Sequence, residues 1–579
     1  MRDARKQAPI PSIVFMLMVV CQLVLFTCFG EQKAAYHVDE LFTYGLSNSY
    51  DKAFLYDGAP SDGLNNTQFN HWMDQSVFFR YITVQPGEGF AYDKVYYNQT
   101  QDVHPPLYYM LIHTICSFFP NTFSKWFGLC LNFGLFVFCQ IVLFQLSNAL
   151  LKSREKALLV CALWGFGAGA LNTVLFIRMY TLLTLLTLLS VLIHVKILQL
   201  NKLPAKYLVG FIITTILGGL TQYYFYIFAS LLAVFVGAFF VSNGSKRNLF
   251  VYTAATASSF LTAFAVFPAV FLHLNGYRGA DAVYGIKNLE ISGSKLHSIY
   301  SMINQELFGL PDRVADLLAS FQASIWFLLC VGVAITILLI YLVYALRKSK
   351  KLSDKIEELK SKHPAELDIM ASCKRIFKNR ERAFLITMLG IMLLFTWIIS
   401  NIAPEMGVFM DRYVFCVFPL ICILAVACLW AIFSKLVKRT WLRNAALILL
   451  IAVFTFGSHW NSKGQYLYQE NEPRTQLSTT IAGTNCIFVM EHDYLLHSMS
   501  NLFMRCENVF PTRSDDVDQI IQGIDSAPGN CKITLIISVQ AYNDLILRQI
   551  EDKTDYHPLF LSKGLSGDQY YYIYELQNS

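Results

Sequence analysis

The sequence predicts an all-α polytopic membrane bundle of about eleven crossings, with its N-terminus cytoplasmic and a small C-terminal α/β domain in water. Three observations predict it. The chain of 579 residues is 55% apolar and only 15% charged, whereas a soluble domain carries nearer a quarter charged residues. The apolar residues come in unbroken blocks, such as 10–29, 157–177 and 323–346, each able to span the hydrocarbon layer as about 20 helical residues. A bilayer core offers the backbone no water, so such blocks must be helices packed side by side. The third observation is that Lys and Arg gather in short segments between the blocks, which is topology information. The net charge of +6 therefore needs no nucleic-acid partner.

The first block, 10–30, follows Arg2, Arg5 and Lys6. It is too long for a signal peptide and lacks a small-x-small cleavage site, so the reading is an uncleaved helix running outward. Residues 31–104 are polar and aromatic with Asp-Gly turn signals and form a first external loop. The stretch 105–120 is short and bounded by prolines and is expected not to span, because only one net crossing fits between external His104 and cytoplasmic Lys152. Further crossings are placed at 125–150, 157–176, 180–200, 206–221, 222–241, 249–272, 322–346, 383–402, 412–433 and 443–460. Basic residues 347–382 form a cytoplasmic linker. Residues 1–460 thus make a transmembrane module.

Residues 461–579 alternate β-branched runs with amphipathic ones and read as an external α/β domain, with strands at 486–490, 532–538 and 570–575 and helices at 514–525 and 540–552. Most of the 14 cysteines lie in apolar runs, where a thiol acts as a small hydrophobe. Cys486, Cys506 and Cys531 lie in the tail; outside the cell, one disulfide would leave one thiol over. No zinc-type Cys/His spacing occurs.

The polar residues flanking the spans fall mostly on the external side. Asp39 and Glu40 open the first loop. Asp102, His104, Pro105, Pro106, Tyr108 and Tyr109 close it, the prolines fixing the entry into the following helix. Arg178 and Tyr180 interrupt a long apolar run, with the cation on the outside against the positive-inside bias. Gln222, Tyr223 and Tyr224 sit at a further outer turn, and Asp411, Arg412 and Tyr413 precede Pro419; Arg278 is a third external cation. Each has a plain alternative: a solvated carboxylate pair, a helix-start signal, a snorkelling arginine, an interfacial aromatic belt. Their shared sidedness favours a site for an anionic, lipid-carried substrate.

The Asp39-Glu40 pair after an uncleaved first helix, the His104-Pro-Pro-Leu-Tyr-Tyr stretch and the Arg178-Met-Tyr180, Gln222-Tyr223-Tyr224 and Arg412-Tyr413 motifs with Pro419 resemble the GT-C glycosyltransferases. The similarity is to their protein O-mannosyltransferase and aminoarabinose-transferase-like branch, over 10–435. The resemblance implies a hexosyl- or pentosyltransferase of the cell envelope, taking sugar from a polyprenyl-phosphate donor at the outer face of the membrane. It implies Asp39 as general base on an acceptor hydroxyl, with inversion. Arg178, Arg412 and His104 would hold the donor phosphate, Tyr180, Tyr223 and Tyr413 would line the site, and Glu40 and Asp102 would serve the acceptor or a metal. Some relatives hold a divalent metal and others need none; Gln222 stands where the family often has His. The acceptor class stays open between lipid, glycopolymer and protein.

The main alternative is a transporter or flippase of lipid-linked or anionic substrates, which would place charges or broken helices near the bilayer midplane. A non-catalytic scaffold leaves the outer-face cluster without a purpose.

Overall fold

The fold is that of a computed structural model, which describes residues 10–55, 69–289, 293–311, 380–403, 411–462, 464–514, 517–529 and 531–578. Among these, eight helices are long and apolar enough to cross a membrane: Ser12–Gln32, Lys125–Leu151, Tyr180–Leu200, Tyr224–Val241, Lys246–Val266, Phe384–Ile402, Asp411–Leu436 and Thr440–Ser462. A ninth candidate is the pair Arg154–Gly165 and Ala168–Leu175, bent by 58°. The protein is thus an integral membrane protein, mostly helical, with a sheet built largely from its tail.

As expected of a stretch that does not span, 105–120 holds only Leu107–Ser117, 11 residues long, which at about 1.5 Å per residue is too short to cross. Several of the expected crossings differ in detail. Residues 206–221 form Ala205–Gly219, 15 residues, short of a full span. The run 249–272 is two helices, Lys246–Val266 and Ala269–Asn275. Pro268 between them has no N–H to donate and ends the first helix. The crossing at 322–346 and the basic linker at 347–382 lie outside the described residues.

The chain divides into two compact units. Unit 1 takes Met1–Leu25, Phe133–Val174 and Met179–Gly464; unit 2 takes Phe26–Asn132, Leu175–Arg178 and Gln465–Ser579.

In unit 1, helix Ala205–Gly219 packs on Tyr180–Leu200 and Lys246–Val266. Polar side chains tie the helices where apolar packing alone gives no direction. Gln22 and Gln140 both donate to the Cys161 carbonyl, at 3.1 and 3.2 Å, and His194 Nε2 bonds the Tyr252 hydroxyl at 2.8 Å. Gly309, at φ +56°, ends the short π-helical segment Asn304–Phe308 against the backbone of Gly457, where a Cβ has no room.

Unit 2 is built on a six-stranded sheet of order β1-β3-β2-β4-β6-β5: β1 (Met73–Asp74), β2 (Asn485–Met490), β3 (Asn508–Arg513), β4 (Ile533–Ser538), β5 (Tyr556–Ser566) and β6 (Gln569–Asn578). β2 pairs parallel with β3 and β4; β1, β6 and β5 add antiparallel. Every residue of β2 and β4 is buried, as central strands covered on both faces must be. Ile487, Val489, Leu535 and Ile537 pack under helices Val517–Asp525 and Asp544–Lys553 through Ile520, Ile524, Ile546 and Ile550. On the other face Phe488 and Phe503 meet Phe78 and Tyr571. The first loop therefore supplies both a strand and an apolar lining to this unit.

Candidate active site

In unit 2, helix Val38–Asn48 opens with a capping box. His37 Nδ1 accepts from the Asp39 N–H at 3.1 Å, and Glu40 Oε2 accepts from the His37 N–H at 2.8 Å, which satisfies two of the end N–H groups that a helix leaves without partners. The two neighbouring carboxylates have different surroundings. Glu40 is fully buried: Lys33 Nζ lies 3.0 Å from Oε2, and the Ile177 N–H donates to Oε1 at 2.8 Å. Lys33 is equally buried and donates also to the Tyr466 carbonyl at 2.7 Å. Burial pulls the Lys33 ammonium below the ordinary lysine range, while Glu40 draws it back up. Asp39, in contrast, keeps a quarter of its side chain exposed, with Oδ2 3.7 Å from His37 Nδ1.

Arg178 is almost fully buried in the tight turn after Leu175, where its N–H donates to the Phe176 carbonyl at 2.7 Å. Asn132 fixes that turn by donating to the Phe176 carbonyl at 3.0 Å, while accepting from the Tyr108 hydroxyl at 2.9 Å. Arg178 Nη1 donates to the Asp39 carbonyl (3.2 Å), Thr43 Oγ1 (3.2 Å) and the Tyr109 hydroxyl (2.7 Å), and Nη2 meets His104 Nε2 at 3.2 Å. Each of these four acceptors is neutral, so together they aim the cation without cancelling its charge. Thr43 comes one helical turn after Asp39, and its hydroxyl donates back to the Asp39 carbonyl at 2.9 Å.

A guanidinium only donates, so His104 Nε2 accepts and its proton sits on Nδ1. That N–H points at Asp102 Oδ2, 2.8 Å away. Burial alone pushes the Asp102 carboxyl up, but the hydrogen bond from His104 and the charge of Arg178 beyond bring it below the usual carboxylate range. Asp102, His104 and Arg178 thus form a relay in which a carboxylate sets the tautomer that receives the arginine. Pro105 and Pro106 lead into helix Leu107–Ser117, which presents Tyr109 to Arg178.

These contacts bear on metal binding. Lys33 occupies one Glu40 oxygen, His104 one Asp102 oxygen, and Arg178 the far nitrogen of His104. Among the described residues no group of three or more His, Cys, Asp or Glu comes together to hold one.

The other expected residues belong to unit 1. Arg412 lies over the Tyr413 ring, 5.2 Å from its centre. Tyr413 meets Tyr224 edge-on at 5.7 Å. The Tyr223 hydroxyl bonds His273 Nδ1 at 2.7 Å, and Tyr180 is buried edge-on to Phe415. The same unit holds Glu306. It is buried, and its oxygens accept from Asn172 Nδ2 (3.0 and 2.8 Å) and Ser462 Oγ (3.3 Å). Burial pushes its carboxyl well above the ordinary value; the charge of Asp411 adds to this, and the Asn172 and Ser462 donors oppose it. Lys33, His37, Thr43 and Glu306 were missed. Only Thr43 carried a sequence signal, its i+4 spacing from Asp39.

No family model matches the chain, and no curated protein matches it. Among solved structures it is similar to ArnT from Cupriavidus metallidurans bound to undecaprenyl phosphate, at 10% identity, with 96% of this chain and 97% of that one covered and a TM-score of 0.44. It is also similar to the apo state of the same protein, at 10% identity, with the same coverage and a TM-score of 0.45.

Proposed function

We propose that the protein is a membrane glycosyltransferase that moves a sugar from a polyprenyl-phosphate donor to an acceptor hydroxyl at the outer face of the membrane. The observation that carries this reading is Arg178, held by four neutral acceptors within one hydrogen bond of the Asp39 backbone. It sets a fixed cation beside a partly exposed carboxylate, and the two have complementary tasks. The Asp39 carboxylate takes the proton of the acceptor hydroxyl as its oxygen attacks the anomeric carbon. The bond from that carbon to the phosphate oxygen breaks, and the departing polyprenyl phosphate gathers negative charge. Arg178, preorganised and little hydrated, stabilises that charge at no cost of reorganisation. One displacement inverts the anomeric centre. Asp102 and His104 are positioning residues for Arg178, and Glu40 with Lys33 positions the turn that presents Asp39. No metal step is needed in this scheme.

The test is transfer from a radiolabelled polyprenyl-phosphate sugar to extracted acceptors by the purified protein. Asp39→Asn should slow transfer by about 10²–10⁴-fold, the usual contribution of a general base. Transfer at the wild-type rate would remove Asp39 from the chemistry.

A transporter or flippase is the second reading. One observation favours it: the helix pair broken at 58° brings Asn172 to the buried Glu306, as discontinuous helices do at transport sites. Vesicles holding donor and no acceptor separate the two readings. A transporter moves the donor between leaflets there, and a transferase leaves it in place.

A further inference from the structure

Three helices of unit 1 pack on one another at one end: the start of Arg154–Gly165, the last turns of Phe418–Leu436 and the start of Thr440–Ser462. Where they meet, Lys156 Nζ lies 4.9 Å and the Arg443 guanidinium carbon 4.4 Å from the centre of the Trp430 ring. An indole face attracts a cation, but it carries no net charge, and two cations drawn to one ring repel each other. Among the described residues neither Lys156 nor Arg443 forms an ion pair with a carboxylate. Both also stand in the first turn of their helices, at the positive end of the dipole, where an anion is favoured and a cation is not. Thr440–Ser462 has no acidic residue in that turn. Glu155, in the first turn of the other helix, is exposed.

Arg443 carries the decisive observation. Its Nη1 donates to Ser434 Oγ at a long 3.5 Å, and its Nε is buried with no acceptor. A buried donor left without a partner is costly, the more so on a charged group. An open guanidinium edge is matched by an anion that can take two N–H groups side by side, as a phosphate does. The positive-inside bias alone places basic residues at helix ends, and it accounts for Lys438 and Arg439, which are exposed in the connecting turn. It does not account for a half-buried guanidinium held against an indole beside a second cation.

The surroundings name the source of the anion. Leu436, Trp441 and Leu442 flank the cluster and are exposed, and Leu449 and Val453 continue an exposed apolar stripe down Thr440–Ser462 from Leu442. An exposed Trp at the end of a spanning helix belongs at headgroup depth, and the stripe below it belongs among acyl chains. We propose that Arg443, Lys156 and Trp430 hold the phosphate of one anionic phospholipid, in the leaflet that the basic turns assign to the cytoplasm. The phosphate takes the Arg443 Nε–H together with an Nη–H, Lys156 closes on another oxygen, and the acyl chains lie along Leu442, Leu449 and Val453. The shared counter-charge replaces repulsion between the two cations, so the lipid ties the start of the broken pair Arg154–Leu175 to the two neighbouring spans. This site is independent of the transfer chemistry.

The experiment is native mass spectrometry of the full-length protein from mixed micelles, titrated with phosphatidylglycerol, phosphatidylcholine or inorganic phosphate. Wild type should hold one phosphatidylglycerol roughly tenfold or more tightly than phosphatidylcholine, whose headgroup neutralises its own phosphate. Inorganic phosphate should not displace it. Arg443→Gln should weaken phosphatidylglycerol binding by roughly tenfold or more, as loss of a charge-assisted pair implies, and Lys156→Gln by about fivefold. Lys438→Gln, on a solvated charge, should change it by less than about twofold, and this order should persist in about 0.5 M salt, where exposed charges are screened. Equal binding of the two lipids by wild type overturns the proposal, and that comparison needs no variant to fold. Displacement by inorganic phosphate overturns the lipid as the source of the anion. Wild-type affinity in Arg443→Gln, or a loss as large in Lys438→Gln, overturns the site.

Discussion

Lys33→Met removes one half of a buried ion pair and leaves the other in place. Both side chains are fully buried, 3.0 Å apart, so Glu40 would keep its charge with only the His37 and Ile177 N–H groups for company. An uncompensated buried charge of this kind costs about 3–5 kcal/mol, and the Tyr466 carbonyl loses its donor as well. Against a total stability of roughly 5–15 kcal/mol, that is a large loss. Lys33→Met with Glu40→Gln removes the charge while the amide oxygen still accepts from the backbone. The pair should recover most of the loss, giving a coupling of about 2–3 kcal/mol in a double-mutant cycle. The assay is equilibrium unfolding in mixed micelles, read for all four proteins at one detergent composition. If Lys33→Met loses less than about 1 kcal/mol, or the double variant is no more stable than Lys33→Met, the pair does not anchor the Asp39 turn.

Further outcomes follow from the same contacts. Arg178→Lys replaces a fork by a point charge and forfeits about two of its charge-assisted hydrogen bonds, near 1.5 kcal/mol each; transfer efficiency should fall roughly a hundredfold, read as kcat/KM for the donor. Asp102→Ala removes the acceptor that holds the His104 proton on Nδ1, so KM for the donor should rise more than kcat falls, and Asp102→Glu should keep part of the wild-type affinity. Glu306 has a folded pKa above its unfolded one, so the folded form holds the extra proton. Stability should fall as pH rises from the ordinary carboxyl range through the raised value. Glu306→Gln, which keeps the shape of the neutral acid, should flatten that slope in an unfolding series across pH.

Much of this architecture was legible in the residues. Apolar blocks such as 125–150 and 180–200 became single helices because nothing inside them competes with the helix. The block 249–272 did not, and the reason stood in the sequence: Pro268, masked by the apolar residues on both sides. The strands at 486–490 and 532–538 were readable from their β-branched runs. The Met73–Asp74 strand was not, since two residues carry no period and its pairing partner lies over 400 positions away. At the site, the expected set included Asp39, Asp102, His104, Arg178 and Arg412; hydrogen bonds join Arg178 to the Asp39 carbonyl and to His104, and His104 to Asp102, while Arg412 belongs to the other unit. Sidedness did not divide the labour of the adjacent carboxylates: Glu40 is buried on Lys33 while Asp39 stays accessible, a difference set by tertiary contacts to Ile177 and Tyr466. Glu306 was unreadable for the same reason, because its burial comes from Asn172 and Ser462, both distant in sequence.

The most direct test of the account separates binding from chemistry on the two residues at its centre. Donor affinity and single-turnover transfer are measured together for wild type, Asp39→Asn and Arg178→Gln with one polyprenyl-phosphate sugar. Asp39→Asn should bind the donor as wild type does and transfer about 10²–10⁴-fold more slowly, while Arg178→Gln should lose affinity for the donor as well as rate. Wild-type transfer by Asp39→Asn, or undiminished donor affinity in Arg178→Gln, would contradict the roles given to these two residues.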